Sequence, residues 1–197
     1  MNESREPADV AELYRDAPKM EGDRLNDGLP VGVRAPEFSL KNAQGEEVSL
    51  SDYAGRPVLL VFYPLDWSPG CSQQLELYQQ EFDEFESRDV ALIGISVDSI
   101  YSHGAWAAVR GITFPLLSDF APRGAVARQY DVWREQDGFS ERALYLVDRD
   151  GTIRYAHVSP HLHHLPDIYE LLAAIDEVST TDEVSTTEPE REKEVSR

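Results

Sequence analysis

Cysteine is nearly absent: of 197 residues, only Cys71 carries a thiol. An intramolecular disulfide and a cysteine-built metal cage are therefore excluded. Any thiol chemistry has to run through that one sulfur and an outside partner. Lysine is scarce as well. Lys19, Lys41 and Lys193 are the only three, so fifteen of the eighteen cations are arginine. Against them stand 37 acids, for a formal net charge of −19. That balance disfavours DNA, RNA and anionic membranes as main partners. Long apolar runs are missing too, since the longest, Val58 to Tyr63, is far too short to cross a bilayer. No basic segment followed by an apolar stretch opens the chain, so the expected location is the cytoplasm.

The rest of the composition fits a soluble globular protein, with 41% hydrophobic and 28% charged residues. The acid excess is spread along the chain. Residues 1–30 hold eight acids and four bases, residues 176–197 hold eight and three, and the middle is still strongly negative. An acidic, lysine-poor surface of this kind suits concentrated salt, where a Debye length of roughly 3 Å screens self-repulsion. An ordinary acidic protein is the plainer reading.

Three regions are expected. Residues 1–30 form a polar extension, with a short helix near Ala8 to Arg15. A domain spans 31–178 and opens on the cluster Pro30, Gly32, Pro36. Residues 179–197 are expected to be a disordered acidic tail. There the six residues from Asp176 repeat from Asp182, with little apolar surface to offset the cost of ordering.

Within the domain, strand-like and helix-like segments alternate. Glu37 to Leu40 and Glu47 to Leu50 flank a hairpin signal at Asn42–Gly45. Pro57 to Tyr63 and Val90 to Val97 read as buried strands. From Cys71 onward, Leu75, Tyr78, Phe82 and Phe85 make one apolar helical stripe. Ile100 to Arg110 and Pro122 to Tyr130 read as helices. Ala143 to Val147 and Thr152 to Val158 flank the turn Asp148–Gly151, and Leu165 to Val178 closes as an amphipathic helix. The pattern predicts an α/β fold with helices on both faces of a central sheet.

The informative segment is Phe62-Tyr-Pro-Leu-Asp-Trp-Ser-Pro-Gly-Cys-Ser72. Ser68 suits an N-cap and Pro69 the first helical position, which places Cys71 in a first helical turn. Gly70 leaves its backbone open to approach. Unpaired N–H groups and the positive helix end favour the thiolate over the thiol. An inert cysteine packed as a small hydrophobe is the bland alternative.

Pro64-x-x-x-Ser68-x-x-Cys71 resembles the peroxiredoxin active-site signature. Three further segments resemble that family: Phe114-Pro-Leu-Leu-Ser-Asp119, Ala127-Arg-Gln-Tyr-Asp-Val132 and Arg142-Ala-Leu-Tyr-Leu-Val-Asp148. Ser68 to Ser72 is most similar to the bacterioferritin-comigratory type. The resemblance implies a thioredoxin-like fold with a central mixed sheet, and a thiol-dependent peroxidase of hydrogen peroxide or organic hydroperoxides. It also implies a homodimer, and an external thiol or thioredoxin-like reductant. Two positions depart from the family pattern. Glu76 stands where a resolving cysteine often lies, and Gln74 stands where glutamate is frequent. The expected mechanism is therefore 1-Cys.

In that reading Cys71 attacks the peroxide and Arg142 holds the thiolate and polarises the O–O bond. The Ser68 hydroxyl donates to sulfur or peroxide, the N–H groups of Gly70 and Cys71 steady the leaving oxygen, and Pro64 excludes water. Arg142 as a surface charge beside Glu141 is the competing reading. Nothing in the sequence calls for a cofactor. His161, His163 and His164 sit in a loop, with His157 nearby, at a spacing loose for a metal. Phe62, Tyr63 and Trp67 form either an apolar mouth or part of the core. Two other functions compete: a redox sensor passing its oxidation to a client, and a non-catalytic thioredoxin-fold binding module.

Overall fold

The computed structural model describes residues 17–185, with side chains described through Val178. The strands are β1 (Ser39–Asn42), β2 (Glu47–Ser49), β3 (Val58–Phe62), β4 (Ala91–Ser96), β5 (Leu116–Ser118), β6 (Trp133–Arg134), β7 (Phe139–Ser140), β8 (Ala143–Val147) and β9 (Ile153–Val158). The helices are α1 (Pro69–Gln80), α2 (Phe82–Ser87), α3 (Ile100–Arg110), α4 (Ala125–Gln129) and α5 (Ile168–Ser185), with a 3₁₀ turn at Leu50–Tyr53. Seven strands form one sheet in the order β2-β1-β5-β4-β3-β8-β9, and β6 and β7 pair separately. β3, β4 and β5 are mutually parallel, and the other pairings are antiparallel. The sheet is therefore mixed, as expected.

Side chains on a strand alternate between faces, and β3 divides the core accordingly. Val58, Leu60 and Phe62 join one buried cluster with Val126 and Ala127 of α4 and with Tyr130. Leu59, Val61 and Tyr63 join the other, with Cys71, Leu75 and Tyr78 of α1, Phe85 of α2, Trp106 of α3, and Leu171, Leu172 and Ile175 of α5. A strand buried on both faces must be apolar at every position, which explains the unbroken run that marked it.

The structure corrects several sequence expectations. The stripe from Leu75 to Phe85 is carried by two helices, because the backbone at Glu81 leaves helical values (φ −96°, ψ 18°). The stripe runs on across that break, so its period could not reveal it. The expected helix at 122–130 shortens to α4. The short β5, β6 and β7 leave no mark in the sequence pattern; three residues or fewer carry too little of it. The expected tail begins too early, because α5 continues to Ser185. Extending a helix costs less than nucleating one. The remaining tail, 186–197, and the expected helix near 8–15 lie outside the described residues.

The N-terminal extension, expected only to be polar, takes a defined path. From residue 22 it lies against the domain. Leu162 N–H donates to the Gly22 carbonyl at 3.0 Å, and Arg24 N–H donates to the Pro160 carbonyl at 2.9 Å. Glu141, 2% exposed, accepts the N–H groups of Leu25 (2.7 Å) and Asn26 (3.2 Å). Glu141 also pairs with buried Arg134 at 2.9 Å, and Arg134 donates to the Asp23 carbonyl at 2.8 Å. Buried ionic groups need this degree of hydrogen bonding to be tolerated.

Candidate active site

Cys71 sits at the third position of α1. Ser68 caps the helix, its Oγ accepting the Cys71 N–H at 3.3 Å, and Pro69 takes the first helical position. Trp67, just before the cap, holds a left-handed conformation (φ 60°), an uncommon state for a non-glycine residue that marks a sharply turned loop. The sulfur is fully buried.

Arg142 comes from the other end of the domain sequence. β3 and β8 are antiparallel, with Phe62 opposite Ala143. β3 therefore leads into the Cys71 loop at the sheet end where β8 begins, and Arg142 is the residue just before β8. Its side chain is 1% exposed. Nη2 donates to the Cys71 Sγ at 3.6 Å and to the Leu162 carbonyl at 3.0 Å, and Nε donates to the same carbonyl at 3.1 Å. Nη1 donates to Gln74 Oε1, whose Nε2 donates to the Tyr78 hydroxyl at 3.1 Å. A Cβ added at Gly70 would meet Arg142 Nη2 at 3.1 Å, so the space that this glycine leaves open is taken by the guanidinium. Arg142 forms no ion pair with a carboxylate among the described residues.

A cavity of about 550 Å³ opens in front of this group, lined among others by Ser68, Pro69, Gly70 and Arg142. Pro64 is buried directly after β3 and does not line it. The expected role of one group changes. The Cys71 N–H, expected to face the leaving oxygen, is donated to Ser68. Of the two readings open for the aromatic residues, the core one holds for Phe62 and Tyr63. Phe62 and Tyr63 are fully buried on opposite faces of the sheet, and Trp67 donates to Ser102 Oγ at 3.2 Å. The mouth is built instead by residues 19–23 and by Leu162, His163 and Leu165.

Sequence reasoning missed two features. Gln74 departs from the family pattern, yet it is a direct partner of Arg142. The second is a buried network under the Cys71 loop. Asp66, 4% exposed, accepts from the Tyr63 hydroxyl at 2.9 Å and from Ser102 Oγ at 2.8 Å, and faces His103 Nδ1 at 3.0 Å. His103 Nε2 donates to the Leu117 carbonyl at 3.2 Å, and the Asp66 N–H donates to Asp98 at 2.8 Å. Burial, then the Asp66 charge, raises Asp98 above the ordinary carboxylate range. Asp66→Asn should keep the shape but lose the charge facing His103, costing about 1–3 kcal/mol. Chemical denaturation measures that loss; an unchanged midpoint would remove Asp66 as the anchor of the loop.

The histidines pair loosely. His157 stacks on His164 with ring centroids 6.2 Å apart, and His161 meets Asp23 at 2.9 Å. Burial, then the neighbouring His164, lowers the His157 pKa. No group of three or more His, Cys, Asp or Glu placed to hold a metal ion is present among the described residues. Among the same residues, no helix is long and apolar enough to cross a membrane.

Residues 31–156 match the model of the AhpC/TSA family. The chain belongs to that peroxiredoxin family. It is 44% identical over 131 residues to alkyl hydroperoxide reductase E of Mycobacterium tuberculosis, covering 66% of this chain and 86% of the relative. It is 34% identical to peroxiredoxin Bcp of Bacillus subtilis, over 64% of this chain and 82% of that one. Among solved structures, the reduced 2-Cys peroxiredoxin of Plasmodium vivax superimposes with a TM-score of 0.71 at 32% identity, covering 79% of this chain and 84% of that chain. This peroxiredoxin is a thioredoxin-like, thiol-dependent peroxidase, and its single cysteine fits a 1-Cys, Bcp-like type. Glu76, at the position of a possible resolving cysteine, pairs with Arg110.

Proposed function

We propose that Cys71 is the peroxidatic thiolate and that Arg142 is its counter-charge. One observation carries this reading: a guanidinium buried to 1% exposure, with neutral carbonyl and amide acceptors on every side except the sulfur. A buried charge without an opposite charge is costly, and the thiolate supplies that charge. Gln74 sharpens the point, because it accepts a hydrogen bond from Arg142 without neutralising it.

The chemistry then balances simply. The thiolate attacks one peroxide oxygen in line; an S–O bond forms as the O–O bond breaks. The leaving oxygen takes a proton and departs as water or an alcohol, and Cys71 becomes a sulfenic acid. Arg142 offers a planar fork of donors to sulfur and peroxide together. Ser68 Oγ accepts the Cys71 N–H and keeps its own proton to donate toward peroxide. Gly70 lets the Arg142 guanidinium pack close to the helix start, and Pro64 closes the buried side of the loop to water. An external thiol then condenses with the sulfenic acid, releasing water, and a second thiol frees Cys71 and leaves as a disulfide. No cofactor takes part. The reading includes a homodimer, carried from the family resemblance, and a cytoplasmic setting.

The test is stopped-flow oxidation of the wild-type protein with sub-stoichiometric hydrogen peroxide, followed by thiol counting. One thiol should be lost per peroxide, rapidly, and a small dithiol should restore it. A slow or incomplete loss would reject the assignment. Recovery that requires one specific protein client through a mixed disulfide would favour a redox sensor.

A further inference from the structure

We propose that Glu141 is a positioning residue for the peroxidase reaction: through Arg134 and the N-terminal strap at residues 22–26, it fixes the Arg142 guanidinium against the Cys71 sulfur. The inference rests on Arg142 being the counter-charge of the reacting thiolate. Three observations carry it.

The first is the carbonyl that Arg142 grips. Leu162 lies in the connection between β9 and α5, where no helix or sheet ladder sets the backbone. Its carbonyl accepts Nε at 3.1 Å and Nη2 at 3.0 Å, and Nη2 is the nitrogen that reaches Sγ at 3.6 Å. A shift of Leu162 therefore moves the donor to the sulfur. The second is a closed circuit of bonds. The Leu162 N–H donates to the Gly22 carbonyl at 3.0 Å. One residue on, the Asp23 carbonyl accepts from Arg134 Nη1 at 2.8 Å, and the same nitrogen donates to the Glu141 carboxylate at 2.9 Å. Glu141 also takes the N–H groups of Leu25 and Asn26, and its peptide bond leads straight to Arg142. The path through Leu162, Gly22, Asp23, Arg134 and Glu141 thus returns to the residue it left. Arg134, Glu141 and Arg142 are all buried, so water competes little for these charge-assisted bonds. The third is Gly22. It is held with φ at 143°, a conformation that side chains disfavour, and a Cβ there would meet Arg134 Nη2 at 2.9 Å and Leu162 Cδ1 at 3.5 Å. The strap is thus wedged between its two neighbours in the circuit. Gly22 and Leu162 both lie outside the matched residues 31–156, so this support for Arg142 comes from outside the matched region.

The experiment measures single-turnover oxidation of Cys71 by hydrogen peroxide, together with thiolate absorbance, in the full chain. Glu141→Gln removes the charge that holds Arg134, and Gly22→Ala unseats the strap without changing any charge. Each should slow oxidation about tenfold, a part of the loss expected when the guanidinium itself is removed. Each should also lower the thiolate absorbance at neutral pH. The sign separates two explanations: if the carboxylate acted on the sulfur directly, its neutralisation would favour the thiolate and raise that absorbance. In an Arg142→Ala background neither substitution should slow the reaction further, because the group being positioned is gone. Unchanged rate or absorbance in either folded variant would overturn the proposal, whatever the melting temperature does, and would mark the circuit as structural only. So would a raised absorbance in Glu141→Gln, or an equal further loss in the Arg142→Ala background. If Glu141→Gln does not fold, Gly22→Ala decides alone. Oxidation of Arg142→Ala at the parent's rate would instead overturn the counter-charge reading itself, and this inference with it.

Discussion

Cys71→Ser is expected to abolish peroxidase turnover while the domain stays folded. The oxygen of a serine is protonated at neutral pH and has no low-energy route to a sulfenic acid, so no other oxidisable nucleophile replaces the sulfur. The chain's remaining sulfurs are the thioethers of Met1 and Met20. The fold should tolerate the change. The site lies between Ser68 and Arg142, which can both hydrogen-bond a hydroxyl, and the lost packing costs about 1 kcal/mol. Peroxide consumption with a small dithiol as reductant, paired with the melting temperature, checks both halves. Turnover equal to the parent's would overturn the catalytic assignment.

Arg142→Ala should slow single-turnover oxidation by roughly 100- to 1000-fold, the usual loss when a preorganised donor to a developing charge is removed. It also strips the Leu162 carbonyl of two donors and Gln74 of one. Buried acceptors left unsatisfied cost about 1–3 kcal/mol, so the melting temperature should fall with the rate. Arg142→Lys separates charge from geometry. An ammonium keeps the positive charge but cannot reach sulfur, carbonyl and amide together with a planar fork. Its rate should therefore lie between those of the parent and the alanine variant. Thiolate absorbance in the ultraviolet should fall in Arg142→Ala and largely persist in Arg142→Lys. If Arg142→Ala matched the parent in rate and absorbance, the buried guanidinium would be structural.

Much of the central framework was legible because it follows one-dimensional rules. The apolar runs at β3 and β4, the turn between β8 and β9 and the full length of α3 all follow from local pattern. The Ser68–Pro69 start of α1 is equally local, since an N-cap and a proline restrict only the residues beside them. Short strands and the break at Glu81 were not legible, because they answer to partners distant in sequence.

The reach of local pattern ends at the active site. It determined that one thiol exists, that it lies in the first turn of a helix, and that no second cysteine can resolve it. Whether Arg142 was a surface charge or the partner of that thiol could not be read locally, since 71 residues separate them. The antiparallel pairing of β3 with β8 decided it, by bringing the end of one strand beside the start of the other. The N-terminal extension shows the same division. As sequence it is a polar segment with nothing to say where it lies. In the fold, Glu141, Arg134 and Leu162 supply hydrogen-bonding partners that its backbone cannot find alone, and the segment becomes the wall of the cavity.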